Sequence, residues 1–289
     1  MRRAVTSIVV TAATGALGRL VVEELLERVP ADRVAVVVRN EEKAADLAAR
    51  GIEVRVADYD DPAALARAFR PGDRVLLISG NEIGRRVVQH TAVIDAAKAA
   101  GVAQLAYTGI LGGPEADFEL AAEHTATERA VLASGLPYTF LRNGWYHENY
   151  TRELPTVLGH GAVVGSSGEG RVASAARADY AAAAAVVLTG EGHLNRIYEL
   201  SGDAAWSLGE YAAEVSALSG KEIAHADVPA DEHLRILTGA GVPEGFAAII
   251  VDVDAAIARG RLAGTSGDLA RLIGRPTTPV TEAIGVALA

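Results

Sequence analysis

The run Ser7-Ile8-Val9-Val10-Thr11 leads directly into Ala12-Ala13-Thr14-Gly15-Ala16-Leu17-Gly18, and then into an apolar-periodic segment that lasts to Pro30. A β-branched run, a small-residue turn and an amphipathic segment in that order predict strand, tight turn, helix. Leu17, Leu20, Val21, Leu25 and Val29 share one face of that helix, which suits packing on a sheet. A second β-rich run over 33–38 ends at Arg39. A glycine-rich turn lets backbone N–H groups at a helix N-terminus approach a pyrophosphate, where the helix dipole favours negative charge. A cation just past the second strand favours a ribose 2′-phosphate over a free hydroxyl. Together these features predict a dinucleotide site selective for NADPH. Thr11, Ala13, Thr14, Gly15, Ala16 and Leu17 are expected around the phosphates, with Arg39, Asn40 and Lys43, one turn into the next helix, at the ribose.

The glycine pattern is incomplete. Read as G-x-x-G-x-x-G, its first position is Ala12. Alanine costs about 1 kcal/mol where φ must be positive and is harmless elsewhere. We expect it to be harmless here, because the phosphate-binding N–H groups come later in the turn. A plain βαβ unit whose glycines only make the turn is the alternative, and Arg39 at the second strand end argues against it.

With 289 residues, half of them apolar and 22% charged, the chain can bury a substantial core. A formal net charge of −10 argues against general nucleic-acid binding, which needs a basic surface. The absence of cysteine excludes disulfides, thiolate nucleophiles and cysteine-ligated metals, and fits a reducing cytoplasm. The seven histidines are scattered without ligand spacing, so no metal site is expected. The longest apolar run, 181–188, is far short of the roughly 20 residues of a membrane helix, and the N-terminus lacks a signal-like apolar block. A soluble cytoplasmic protein is expected.

Strand and helix then alternate regularly. Strands are predicted over 52–57, 74–79, 104–108 and 138–142, with helices over 62–69, 83–100 (closed by Gly101) and 119–134 (closed by Gly135). This alternation implies an α/β fold with a doubly wound parallel Rossmann sheet and right-handed crossovers, binding ligands at the strand C-termini. After Asn143 the rhythm breaks. A short helix, a strand at 162–164 and a glycine-rich turn fill 151–173, followed by an alanine-rich helix over 179–189 and a strand at 197–200. A helix over 208–219, a strand over 223–228 and mostly helical material complete the chain. The expected organisation is an NADP-binding Rossmann domain over 1–150, with 174–202 returning to the sheet, and a small C-terminal α/β lobe from 151–173 and 203–289 on the substrate side. Such a lobe would place a substrate cleft beside the strand ends.

Thr14-Gly15-Ala16-Leu17-Gly18, Val38-Arg39-Asn40, Ala57-Asp58-Tyr59, Leu77-Ile78-Ser79, Ala106-Tyr107-Thr108, the Glu123-His124 to Glu128 helix, Leu141-Arg142-Asn143-Gly144-Trp145-Tyr146 with Glu148-Asn149-Tyr150, and Arg177-Ala178-Asp179-Tyr180 carry a family resemblance. Together they resemble the NmrA-like atypical short-chain dehydrogenase/reductases, and within them the bacterial NADPH:quinone oxidoreductases of the QorB type. The resemblance covers nearly the whole chain. It implies a Rossmann domain with a small C-terminal lobe, NADPH as hydride source and a quinone as acceptor, without flavin. It also implies cofactor contacts from Asp58 and Tyr59 on the adenine side, from Ile78, Ser79 and Gly80, and from Thr108, His124, Asn143 and Gly144. Gly109 stands where related sequences carry a serine, so no hydroxyl is available there.

The Tyr-x-x-x-Lys pair of typical short-chain dehydrogenases has no counterpart; the corresponding helix offers His124. Ketone reduction builds an alkoxide that needs a positioned proton donor, whereas a quinone spreads incoming charge over two oxygens and a ring. A quinone reductase therefore needs a flat apolar slot and few catalytic side chains. Tyr107, Trp145 and Tyr146 are expected to line it, with Asn143 and Tyr146 as the catalytic candidates, Asn143 positioning the nicotinamide or a quinone oxygen.

Blander readings stand beside these. Trp145 and Tyr146 also fit core or rim aromatics, Asn143-Gly144 also fits a turn, and His124 also fits an exposed residue paired with Glu128 at i, i+4. His147 is read as surface. Arg85-Arg86 is read as a solvated helix face, with contact to cofactor phosphate as the alternative because the pair lies near the strand-four loop. For function, an NADPH-dependent quinone oxidoreductase stands against a non-catalytic NADP-sensing regulator of the NmrA-like type. A reductase of isoflavone-like or nitroaromatic compounds comes third.

Overall fold

The computed structural model describes residues 7–289. Its β-branched runs become the strands β1 (Ile8–Thr11), β2 (Val34–Val38), β3 (Glu53–Val56), β4 (Arg74–Leu77), β5 (Gln104–Ile110) and β6 (Tyr138–Asn143). They pair in parallel in the order β3-β2-β1-β4-β5-β6, with Val9 opposite both Ala35 and Val75. This is the dinucleotide-binding strand order, whose direction reverses between β1 and β4. A seventh strand, Arg196–Leu200, completes the sheet beside β6. The doubly wound α/β expectation therefore holds.

The connecting helices are α1 (Ala16–Leu26), α2 (Ala45–Ala49), α3 (Pro62–Ala68), α4 (Arg86–Ala100) and α5 (Glu119–Ser134). Helix α1 buries Leu17, Val21 and Leu25 as expected, and Val22 rather than Leu20 completes its packed face. Helices α4 and α5 are followed by Gly101 and Gly135, both left-handed, as their closing role requires. Val9, Val37, Leu77, Leu105 and Phe140 form the centre of the core, each at most 1% exposed. Burying a side chain of this size contributes about 1.5–3 kcal/mol, so the sheet interior dominates stability.

The chain divides into two compact units. One comprises the chain up to Gly113 with Glu123–Asn143 and Tyr180–Tyr198; the other comprises Pro114–Ala122, Gly144–Asp179 and Glu199–Ala289. In the second, Ala162–Gly165 pairs in parallel with Ala224–Asp227, and Arg171–Val172 pairs antiparallel with Trp206–Ser207. Ser207 and Glu210 form a reciprocal capping box that starts the helix Leu208–Ser219. Trp206 stacks on Tyr211 at 5.3 Å, with Tyr150 edge-on to Trp206. No helix among the described residues is long and apolar enough to cross a membrane.

Candidate active site

The chain leaves β1 through a turn whose tightness is set by Ala12. Its φ is +49°, so this position does require the left-handed region, and the expectation that alanine is harmless is corrected. An L-residue there places Cβ close to the backbone, at about 1–2 kcal/mol. The Ala12 carbonyl accepts the Gly15 N–H at 2.9 Å. Gly18 lies directly against the same carbonyl, where a Cβ would come within 2.4 Å of it and 2.7 Å of Ala13 Cα. Gly18 thus permits α1 to start hard against the strand end. Helix α1 has no side-chain cap and no acidic residue in its first turn, and Gly15 and Ala16 are exposed. First-turn N–H groups lack intrahelical acceptors, so this end fits a pyrophosphate.

Beyond β4 the backbone is pinned residue by residue. Ile78 N–H donates to Thr11 Oγ1 (3.1 Å), Ser79 N–H to Thr108 Oγ1 (2.8 Å) and Gly80 N–H to His90 Nε2 (3.0 Å). The Tyr59 hydroxyl also bonds Thr11 Oγ1. Six of the sequence-predicted cofactor residues, Thr11, Tyr59, Ile78, Ser79, Gly80 and Thr108, are thereby joined in one hydrogen-bonded rim at the C-terminal ends of β1, β4 and β5. Arg86 adds a bond from Nε to the Gly80 carbonyl (2.7 Å) and an ion pair with Glu123 (3.1 Å). It is 5% exposed, so only Arg85 of the pair is solvated; burial of Arg86 corrects the solvated-face reading. That role has no local sequence signal.

Arg39 extends from the end of β2 with its side chain 67% exposed, Nη1 lying 3.2 Å from Glu82 Oε1. Asn40 Oδ1 accepts the Glu42 N–H at 2.8 Å and so begins the single 3-10 turn Glu42–Ala44. Lys43 sits in that turn rather than in a helix, a small correction, and its side chain is exposed. Asp58 Oδ1 accepts the Asp60 N–H at 3.0 Å, holding the loop after β3.

Tyr107 is corrected as a slot residue. It is fully buried, its hydroxyl bonds His124 Nδ1 (2.7 Å), and its ring meets those of His90 and Phe140 edge-on. Such a ring has no face left for an acceptor. His124, 7% exposed, is spent on Tyr107, while Glu128 pairs with Arg142, so the His124–Glu128 alternative is also removed. His90 Nε2 accepts from Gly80, so Nδ1 carries the proton toward Thr127 Oγ1 (3.0 Å), which donates to the Glu123 carbonyl. Burial first, and the Arg86 charge second, push His90 and His124 down to about 3 and hold both neutral.

At the end of β6, Asn143 is 5% exposed and its carbonyl accepts the Leu111 N–H (2.9 Å). Gly144 N–H donates to the Leu200 carbonyl at 2.7 Å. Trp145 and Tyr146 are partly exposed, and Arg177 lies over the Tyr146 ring at 4.8 Å. His147, read as surface, is 1% exposed; Nδ1 meets Ser174 Oγ and Nε2 the Thr278 carbonyl, both at 2.8 Å. The Arg142–Glu128 pair is bidentate at 2.8 and 2.7 Å, and sequence reasoning missed it.

An open helix N-terminus at the first turn of a 3-2-1-4-5-6 sheet, with an arginine past the second strand, defines a nicotinamide-dinucleotide-binding Rossmann protein. The NAD(P)H-binding family profile matches residues 12–191, and the chain belongs to that family, as its NmrA-like resemblance implied. It is 46% identical to Quinone oxidoreductase 2 of Escherichia coli (strain K12) over 277 residues, 96% of this chain and 97% of that protein. The crystal structure of the Escherichia coli NADPH-dependent quinone oxidoreductase QOR2 complexed with NADPH superposes with a TM-score of 0.96 at 45% identity, covering 98% of this chain and 100% of that one. The Citrobacter sp. triphenylmethane reductase complexed with NADP(H) superposes at 0.94 with 43% identity, covering 97% and 100%.

Proposed function

We propose that this protein is an NADPH-dependent quinone oxidoreductase that works without a flavin. The observation that carries the reading is the uncapped start of α1 together with Arg39 past the end of β2: the first suits the pyrophosphate that every nicotinamide dinucleotide carries, the second the 2′-phosphate that NADPH adds. Full-length likeness to a relative named for quinone reduction supports it. NADPH held there supplies a hydride. The N–H groups of Ala16 and Leu17 in the first turn of α1, with the helix dipole, would neutralise the pyrophosphate, and the Arg39 fork would bond the 2′-phosphate. The pinned backbone of Ile78, Ser79 and Gly80 forms a rigid wall that needs no reordering when a ligand arrives. Asn143 orients the nicotinamide or an acceptor oxygen, and Gly144 leaves room beside it. Trp145 and Tyr146 offer rings on which a flat acceptor stacks, worth about 0.5–1.5 kcal/mol beyond burial.

His90, bonded to Gly80, and His124, bonded to Tyr107, are held neutral, which suits an acceptor that needs no strong proton donor. The same fact disfavours simple ketones. A panel of benzoquinones, naphthoquinones and simple carbonyls, followed by NADPH absorbance, tests the reading. Turnover confined to quinones supports it. Tight NADPH binding with no turnover on any acceptor replaces it with the sensor reading.

A further inference from the structure

A dinucleotide fold reads the adenosine ribose with one of two side chains, a carboxylate that accepts the 2′-hydroxyl of NADH or an arginine that meets the 2′-phosphate of NADPH. This chain brings both to one point. Arg39, just past β2, holds Nη1 3.2 Å from Oε1 of Glu82, which lies in the loop after β4. Strands β2 and β4 are the two neighbours of β1, so the pair connects the loops on either side of the strand that feeds the phosphate turn.

The two oxygens of the Glu82 carboxylate have different partners. Oε2 accepts from Gln89 Nε2 (3.1 Å) and lies 3.5 Å from Arg85 Nη1. Gln89, on α4, is 4% exposed and also reaches Asp60 Oδ2 (3.3 Å), and Arg85 pairs with Asp60 Oδ1 (3.0 Å). A buried amide and a neighbouring ion pair therefore anchor Oε2. Oε1 has a single partner among the described residues, and that partner is Arg39.

The junction is open to a ligand. The Arg39 side chain is 67% exposed and that of Glu82 37% exposed. An exposed ion pair of this kind is weak, so a ligand that competes for one partner displaces the other at little cost. Glu41 and Glu42 lie closer to Arg39 in sequence and are exposed, yet the carboxylate held on Arg39 is that of Glu82. Loop geometry and the Gln89 anchor, rather than sequence proximity, put the acid beside the arginine.

We propose that Glu82 is a second specificity-determining residue at the adenosine ribose, the counterpart of Arg39. The proposal rests on the reading of Arg39 as the 2′-phosphate ligand and extends it to the cofactor that lacks the phosphate. A 2′-phosphate takes the Arg39 guanidinium from Oε1, and Glu82 stays on Gln89 and Arg85 as a like charge that limits the gain. With NADH the Arg39–Glu82 pair persists, and Oε1, which has a second lone pair, accepts the ribose 2′-hydroxyl. The arginine favours NADPH, while the glutamate tempers that preference and retains NADH.

Fluorescence titration of the full chain with NADPH, NADH and 2′-deoxy-NADH, whose adenosine ribose lacks the hydroxyl, tests this by binding alone, without turnover. Wild type is expected to bind NADH at least about fivefold more tightly than 2′-deoxy-NADH, through a hydrogen bond to a charged acceptor. Glu82→Ala is expected to bring those two affinities within about twofold of each other and to tighten NADPH by up to about fivefold. Glu82→Gln keeps the side-chain length without the charge and is expected to shift both quantities the same way by less. Glu42→Gln removes an equal charge from the same rim and is expected to change neither by more than about twofold. No preference for NADH over 2′-deoxy-NADH in wild type, a preference that survives in Glu82→Ala, or an equal shift in Glu42→Gln would each overturn the proposal and leave the Arg39 reading standing. Equal loss of NADPH and NADH in Arg39→Ala would remove the Arg39 reading, and the proposal with it.

Discussion

Removing the Arg39 guanidinium separates cofactor recognition from stability. Its ion pair with Glu82 joins side chains 67% and 37% exposed, and such a pair is worth about 0–1 kcal/mol. Arg39→Ala therefore leaves the melting temperature nearly unchanged. A charge-assisted hydrogen bond to a 2′-phosphate contributes about 1.5–3 kcal/mol, so NADPH affinity falls by about 10- to 100-fold while NADH affinity holds. Glu82 opposes this interaction, because the Nη1 it holds is one that the phosphate needs. Glu82→Gln keeps an oxygen beside Gln89 and Arg85 but removes the charge, and tightens NADPH binding by up to about fivefold. Fluorescence titration of both cofactors against wild type and the two variants measures all of this. An equal loss for NADH and NADPH in Arg39→Ala, or weaker NADPH binding in Glu82→Gln, would show that Arg39 does not hold the 2′-phosphate.

Ala12→Gly relieves about 1–2 kcal/mol of left-handed strain and returns about 0.4–1 kcal/mol to the entropy of the unfolded chain, for a net gain of about 0.5–1 kcal/mol in urea denaturation; a loss of stability contradicts the turn geometry. His90 and His124 titrate near 6.5 when unfolded but at about 3 when folded, so the unfolded chain binds more protons between those values. Their contribution is complete above pH 6.5 and is lost as pH falls toward 3. Melts from pH 7.5 to 5 should show the decline, and His90→Gln should flatten it; a level profile between pH 6.5 and 5 goes against buried neutral imidazoles. Arg142→Met strands Glu128, 3% exposed, and costs about 3–5 kcal/mol, much of it recovered by adding Glu128→Leu. A single-variant loss below about 1 kcal/mol contradicts this assignment.

What was legible in the chain was local. The run 8–11, the turn at 12–18 and Arg39 stand within one βαβ unit, and the closing residues Gly101 and Gly135 mark helix ends that the backbone geometry bears out. Ala12 had a signal that pointed the right way, since it occupies the first glycine position of the pattern, and its strain follows from that placement. Tyr107 was misread because β5 is buried along its whole length. A strand covered on both faces loses the alternation that tells which way a ring points. His147 was misread because its partners lie 27 and 131 positions away, and the Arg86–Glu123 and Arg142–Glu128 pairs join residues 37 and 14 apart. Contacts of that kind belong to the packed fold and leave no periodicity or spacing behind.

This chain is expected to reduce a quinone with NADPH and to carry no flavin of its own. The direct measurement is anaerobic turnover of purified protein with a naphthoquinone, counting hydroquinone formed against NADPH consumed, beside the visible absorbance spectrum of the same sample. One hydroquinone per NADPH is expected, with a spectrum without flavin bands and a rate with NADH at limiting concentration at least about tenfold lower, in keeping with the Arg39 contribution. A stoichiometric flavin whose removal abolishes activity, or no hydroquinone from a protein that binds NADPH tightly, would contradict it.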